Sequence, residues 1–385
     1  MIRIKLLSRT NLGEDYAHSL LISLLRGLAA LEVAAAHLQA QVYPGYATVA
    51  HPSIAFQGLA FLTGFAHQAV VVFFLLSGWL VGGSLLNKRS HPGAFTNYAI
   101  DRMTRLWIVL LPTFVLILAL GIISAKVDPH VLSVAADNDY SATAFLGNLV
   151  GLQKIAVPTF GGNFPLWSLS NETWYYVLFP LLVIVVGTKS WRKCAASTVA
   201  AAALACLVGG PIMLYFVIWL LGAAGSRIAV RTGVAGRAFL LLAFASVALY
   251  FRMYGKNDDM GYDAFPQDLL FSILFILFLT SMQVRLPSPG PALAAAKRVA
   301  KYFADFSFTL YVIHVPLIGF LSFLIPYLAH NRLVPNHPAH LVAYLGMFVG
   351  LVAAAYLFHL PFEANTQRLR AALKSFTPQP RPSAS

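Results

Sequence analysis

The chain has 385 residues, 58% of them hydrophobic and only 11% charged, with a mean hydropathy of +0.71. These values exclude a soluble globular domain and define a polytopic integral membrane protein. The formal charge of +13 does not point to nucleic acid, because the basic residues sit in short loops between apolar runs rather than along one basic stretch.

Residues 1–18 are basic but lack a small-residue cleavage site after a short apolar core, so they read as a retained cytoplasmic tail. A membrane region follows over 19–362. Apolar runs long enough to cross fall at 20–41, 63–86, 103–125, 168–187, 194–208, 211–226, 236–253, 267–283, 302–326 and 339–361. The expected fold is therefore all-α, with about ten transmembrane helices. The fifth and sixth runs are short and meet at Gly209-Gly210-Pro211, which suits a tilted pair or a re-entrant hairpin. Residues 363–385 read as a cytoplasmic, disordered tail, on the strength of Thr377-Pro378-Gln379-Pro380-Arg381-Pro382.

Lys and Arg set the orientation. With the N-terminus inside, the outer side receives only Lys126, Lys154, Arg252, Lys256 and Arg332, and Arg26 lies within the first helix. All other Lys and Arg fall inside, so both termini are cytoplasmic. The longest outer segment, 126–166, carries Asp128, Asp137 and Asp139 and an apolar piece from Ala144 to Leu152, long enough for a lid or an interfacial helix. A second outer loop, Tyr254 to Gln267, is acidic through Asp258, Asp259 and Asp263 and reads as a solvated connector. Cys194 and Cys206 lie about 18 Å apart along one helix, too far to pair. No Cys/His spacing resembles a zinc site and no Walker-type loop occurs, so no metal is expected.

Within the first helix, Arg26 and His37 stand eleven residues apart in an otherwise almost wholly apolar stretch. That spacing is nearly three turns, so both project from one face about 16 Å apart along the axis. Such residues are costly in lipid. Arg26 snorkelling to the interface and His37 bonding to a neighbouring helix would satisfy them; so would one long ligand served at both ends. Glu32, about 240° from Arg26 on the helical wheel, points elsewhere and reads as a packing or tuning group.

Leu25-Arg26-Gly27-Leu28-Ala29-Ala30 ending at His37, followed by Ala69-Val70-Val71-Val72-Phe73-Phe74-Leu75-Leu76-Ser77-Gly78, resembles the acyltransferase 3 family of membrane-bound O-acyltransferases. Arg102-Met103-Thr104-Arg105 is similar to its double-arginine motif, and Pro165-Leu166-Trp167-Ser168-Leu169-Ser170-Asn171-Glu172 to its Trp-Ser-Leu-Ser-x-Glu segment. Phe306-Ser307-Phe308-Thr309-Leu310-Tyr311-Val312-Ile313-His314 resembles its ninth-helix segment, with a weaker echo at Pro361-Phe362-Glu363. The resemblance implies an enzyme of the bacterial inner (plasma) membrane. It would move an acyl group, usually acetyl from acetyl-CoA, to a hydroxyl of a cell-surface glycan, glycolipid or similar acceptor.

That chemistry needs a base for the hydroxyl, a cradle for the CoA phosphates and a polar hole for the developing oxyanion. His37 is the candidate base. Glu172 lies at a similar depth from the outer end of its helix, and a carboxylate bonded to one ring nitrogen would leave the other free to accept the proton. An acyl-histidine intermediate is the variant of this scheme. Arg102 and Arg105, three residues apart at an inner helix start, suit the phosphates, and Arg26 would continue the cationic track; alone, the pair also suits ordinary positive-inside charge. Tyr311 and His314 fall near the midplane, where they suit the donor arm. Trp167, Trp174, Tyr175 and Tyr176 suit an acceptor sugar or the membrane interface, and Ser77 and Gly78 suit close helix packing. The competing readings are a small-solute transporter and a purely structural membrane protein. The paired, broken helices of many carriers are not evident.

Overall fold

In the computed structural model the described residues are 3–128, 133–134, 139–286 and 290–376, and nearly all the regular structure is helical. Asp137 and the 377–385 segment lie outside them. Helices α1 (Ala17–Val42), α2 (Ile54–Leu62) and α3 (Ala66–Ser77) lead through a π-helical turn, Gly78–Gly82, into α4 (Gly83–Lys88). Next come α5 (Ala94–Ile123), α6 (Ala142–Leu149), α7 (Leu166–Gly187), α8 (Trp191–Val208), α9 (Gly210–Gly225), α10 (Val234–Tyr254) and α11 (Phe265–Ser281). The chain closes with α12 (Pro291–Asp305), α13 (Ser307–Leu324), α14 (Pro326–His330), α15 (Pro338–His359) and α16 (Thr366–Ser375).

Among the described residues seven helical stretches are long and apolar enough to cross a membrane, or up to eight if Pro291–Asp305 and Ser307–Leu321, bent by 49°, form one span. The expectation of ten crossings is met only in part. The sixth and eighth expected runs form the shorter apolar helices Gly210–Gly225 and Phe265–Ser281. At 1.5 Å per residue these reach about 24–26 Å, against a hydrocarbon core of about 30 Å.

Lipid offers no hydrophobic drive for helices to associate, so close approach at small residues must hold the bundle. A Cβ at Gly78 would stand 1.9 Å from Trp219 O, and one at Gly222 would stand 2.1 Å from Leu75 O. The chain entering the π turn therefore lies against α9 backbone to backbone, in line with the packing role expected of Gly78. Gly78→Ala is expected to force these segments apart at a cost of about 1–3 kcal/mol, read as a lower apparent melting temperature in detergent.

Residues 3–18 are tied down. Arg3–Leu6 pairs antiparallel with Ile228–Arg231, the Thr10 hydroxyl shares a hydrogen bond with Ser226 Oγ at 3.0 Å, and Ala17 N–H donates to Val284 O at 2.9 Å. Residues 363–375 are also ordered: a short 3-10 turn leads into α16, whose Arg370 and Lys374 pair with Asp101 at 3.0 and 2.7 Å. The expectation of a disordered tail from 363 onward thus fails for this part, because α16 finds a carboxylate partner on α5. All these segments meet at the near end of the bundle, the end carrying the described termini. The 139–166 and 254–267 loops gather at the far end. In the former, α6 buries one face and exposes Leu146 and its C-cap Val150 on the other. Its Ala144 and Asn148 are buried, Asn148 donates to Pro158 O at 2.8 Å, and Trp107 Nε1–H donates to Leu149 O at 3.0 Å.

Candidate active site

Two cavities approach each other along α1 and α13. The near cavity, about 240 Å3, is lined by Arg26 of α1, Ser77 of α3, Arg102 and Arg105 of α5, Glu172 and Tyr176 of α7, and Tyr311 of α13, among others. The α7 contribution follows from helical spacing: Ser168, Glu172 and Tyr176 recur every four residues and share one face. Glu172 Oε1 accepts hydrogen bonds from Ser77 Oγ–H and Tyr176 O–H, both at 2.5 Å, and Ser77 Oγ accepts one from Trp219 Nε1–H at 3.1 Å. Arg102 lies 5.8 Å over the Tyr176 ring and 6.0 Å over that of Tyr98. Among the described residues Arg26 makes only long bonds, to Ala304 O at 3.3 Å and Ser307 Oγ at 3.4 Å. A guanidinium carries five donors, and among the described residues no carboxylate lies within ion-pairing distance of this one.

The far cavity, about 540 Å3, includes His37, His67, Lys154, Trp167, Asn171, Asp258 and Asp259 in its wall. Val70 and Tyr311 line both cavities, so these two side chains mark where they meet. The Tyr311 hydroxyl shares a 2.6 Å hydrogen bond with that of Ser168.

His37 Nδ1 lies 2.7 Å from His314 Nε2, with the rings nearly parallel. His314 Nδ1 faces two carbonyls, Tyr311 O at 2.7 Å and Leu310 O at 3.2 Å. Carbonyls only accept, so His314 Nδ1 carries hydrogen and, in the neutral ring, Nε2 is an acceptor. His37 must then donate from Nδ1. Its Nε2 keeps a free lone pair on the wall of the far cavity, the arrangement a general base requires.

The partner of His37 is therefore His314 and not Glu172. Depth along a helix says nothing of rotation about it: Asn171 turns toward the far cavity and Glu172 toward the near one. His314, expected on the donor arm, shares a hydrogen bond with His37. Arg105 is engaged by Glu363 at 2.9 Å, and that carboxylate is buried and also accepts from Thr309 Oγ1–H at 2.7 Å. Trp167 lines the far cavity, but Trp174 donates to Gly151 O at 2.8 Å. Tyr175 is fully buried and donates to Ile212 O at 3.0 Å, and neither of these two lines the near or the far cavity. Glu32 accepts from Phe65 N–H at 2.8 Å beside the start of α3, a packing role.

One cluster was not anticipated. His67 Nε2 donates to Asp268 at 2.8 Å, and Tyr215 O–H donates to the same carboxylate at 2.6 Å, all three buried. Only Asp268 within a short apolar run signalled it. Among the described residues no group of three or more His, Cys, Asp or Glu side chains is placed to hold a metal ion.

A mostly helical bundle with several membrane-length helices, and polar side chains lining cavities at two levels, fits a polytopic membrane protein. The family model described as an acyltransferase domain, that of acyltransferase 3, matches residues 21–360, and the chain belongs to that family. It is a membrane acyltransferase. Comparison with curated proteins and with solved structures gives no match.

Proposed function

We propose that the protein moves a short acyl group, acetyl foremost, from acyl-CoA in the cytoplasm to a hydroxyl of a cell-surface glycan or lipid-linked sugar at the outer face of the bacterial inner membrane. The near end is then cytoplasmic, in keeping with its Lys and Arg. The observation that carries this reading is the junction of the two cavities at Val70 and Tyr311, with the free His37 Nε2 on one side and the guanidinium groups of Arg26 and Arg102 on the other.

In this reading the nucleotide end of CoA stays at the near end and the pantetheine arm threads along α1, whose Arg26-to-His37 span of about 16 Å suits its extended length. The acceptor enters the far cavity, where Trp167 offers a face to a sugar ring. His37 Nε2 takes the hydroxyl proton as the oxygen attacks the thioester carbonyl. The C–S bond breaks, and the proton passes to the departing CoA sulfur. Glu172, held by Ser77 and Tyr176, supplies the negative charge opposite Arg26 and Arg102 and so positions the donor site.

The test uses sealed, oriented vesicles. Acetyl-CoA supplied only on the cytoplasmic face is expected to acetylate an impermeant acceptor held only on the outer face. A requirement for both on the same side ends the through-membrane site, whereas no consumption of acetyl-CoA under any arrangement ends the donor assignment.

A further inference from the structure

A third cavity, of about 430 Å3, opens at the near end between the N-terminal segment and α12, and shares Arg26 and Leu80 with the near cavity. We propose that this vestibule holds the phosphorylated nucleotide of acyl-CoA, with Lys297, Arg298 and Lys301 of α12 as its phosphate ligands. The inference rests on the acyl-CoA reading above.

Its wall carries four cations, Arg26, Lys297, Arg298 and Lys301, against two carboxylates, Glu14 and Asp305. The cations are not spent on the protein. Among the described residues Arg298 has no ion pair or side-chain hydrogen bond, and Lys297 donates only to the Glu14 carbonyl at 3.1 Å. Lys301 stands 3.9 Å from Asp305 with both side chains more than half exposed, a geometry worth little. A second, independent observation is His18, fully buried on the same wall. Its Nε2 donates to Asn11 O at 3.0 Å, while its Nδ1 has no partner. With Nε2 donating, Nδ1 is an acceptor; left buried and unpaired it is costly unless a donor completes it, which the amino or hydroxyl groups of a nucleoside could do and a phosphate could not.

The shape follows from the break at Phe306. There α12 turns 49° away from α13, packing Ala300 and Ala304 inward and leaving its basic residues at the cavity. The larger vestibule suits a bulky head with three phosphate groups, and the smaller near cavity beyond Arg26 suits an unbranched arm. The N-terminal segment forms the opposite wall, which gives its strand pairing with Ile228–Arg231 a purpose.

Calorimetric titration of the purified full chain in detergent tests the assignment with CoA, 3′,5′-ADP and S-acetylpantetheine. Wild type is expected to bind CoA with an affinity that falls with salt, and 3′,5′-ADP is expected to compete. The double variant Lys297→Gln/Arg298→Gln should weaken CoA about tenfold or more, leave S-acetylpantetheine binding unchanged because that donor lacks the nucleotide, and regain most CoA affinity as Lys297→Arg/Arg298→Lys. Wild-type CoA affinity in the Gln double variant overturns this placement and leaves the donor reading standing, as does equal weakening of S-acetylpantetheine. Failure of wild type to bind CoA overturns the donor reading and this inference together.

Discussion

His37→Ala is expected to reduce acyl transfer by about 10²–10⁴-fold, the usual worth of a positioned general base, while the protein inserts and folds. The ring it removes touches His314 and, edge-on, Phe164 at 4.9 Å between centroids, so little packing is lost. His314→Phe separates base from positioning. It keeps an aromatic ring but removes the acceptor for His37 Nδ1–H, so the His37 tautomer is no longer set. Transfer should fall by a smaller factor, about 10–10², and nitrogen-15 NMR of the His37 ring should report a mixture of tautomers where wild type has one. Near-normal transfer by His37→Ala ends the base assignment; an unchanged tautomer in His314→Phe ends only the positioning role.

The helix inventory was largely legible because lipid imposes a length and an apolar composition that any spanning segment must meet. The break at Phe306 was not, since an amphipathic helix joined directly to an apolar one leaves a continuous hydropathy signal over 302–326. The site was half legible. Arg26 and His37 on one helix have a relative position fixed by the helical repeat alone. His37 and His314 lie 277 residues apart, and no local spacing foretells that their rings stack. For the same reason Glu172 was assigned the wrong neighbour: its depth followed from counting residues, but its rotation is set by how α7 packs. The acidic loop at Tyr254 to Gln267 reads as solvated, and its aspartates are exposed, but the sequence does not show that Asp258 and Asp259 also border the far cavity. An aspartate on a connector has the same sequence signature whether it faces bulk water or a cavity mouth.

The two arginines of the double-arginine motif are expected to part company when each is replaced by Gln. Among the described residues Arg102 contacts only aromatic faces and its buried Nε has no partner, and it lines the near cavity. Arg102→Gln should therefore raise the KM for acetyl-CoA by weakening binding shared by ground and transition states, with little change in thermal stability. Lys at this position should rescue only partly, since it keeps the charge without the planar fork. Arg105 instead balances Glu363, whose side chain is 1% exposed. Its removal leaves a buried carboxylate without its counter-charge, a loss of about 3 kcal/mol or more, and the apparent melting temperature should drop sharply. Restoring neutrality in Arg105→Gln/Glu363→Gln should recover much of that stability, because a buried pair replaced on both sides costs far less than a pair broken on one. Failure of the double variant to recover stability would return Arg105 to the donor site, as would a rise in donor KM in Arg105→Gln as large as that in Arg102→Gln at unchanged stability. The motif would then do one job with two residues; on the proposed donor site it does two, Arg102 meeting the ligand and Arg105 pinning the chain after α15 against α5 so that the cavity keeps its wall.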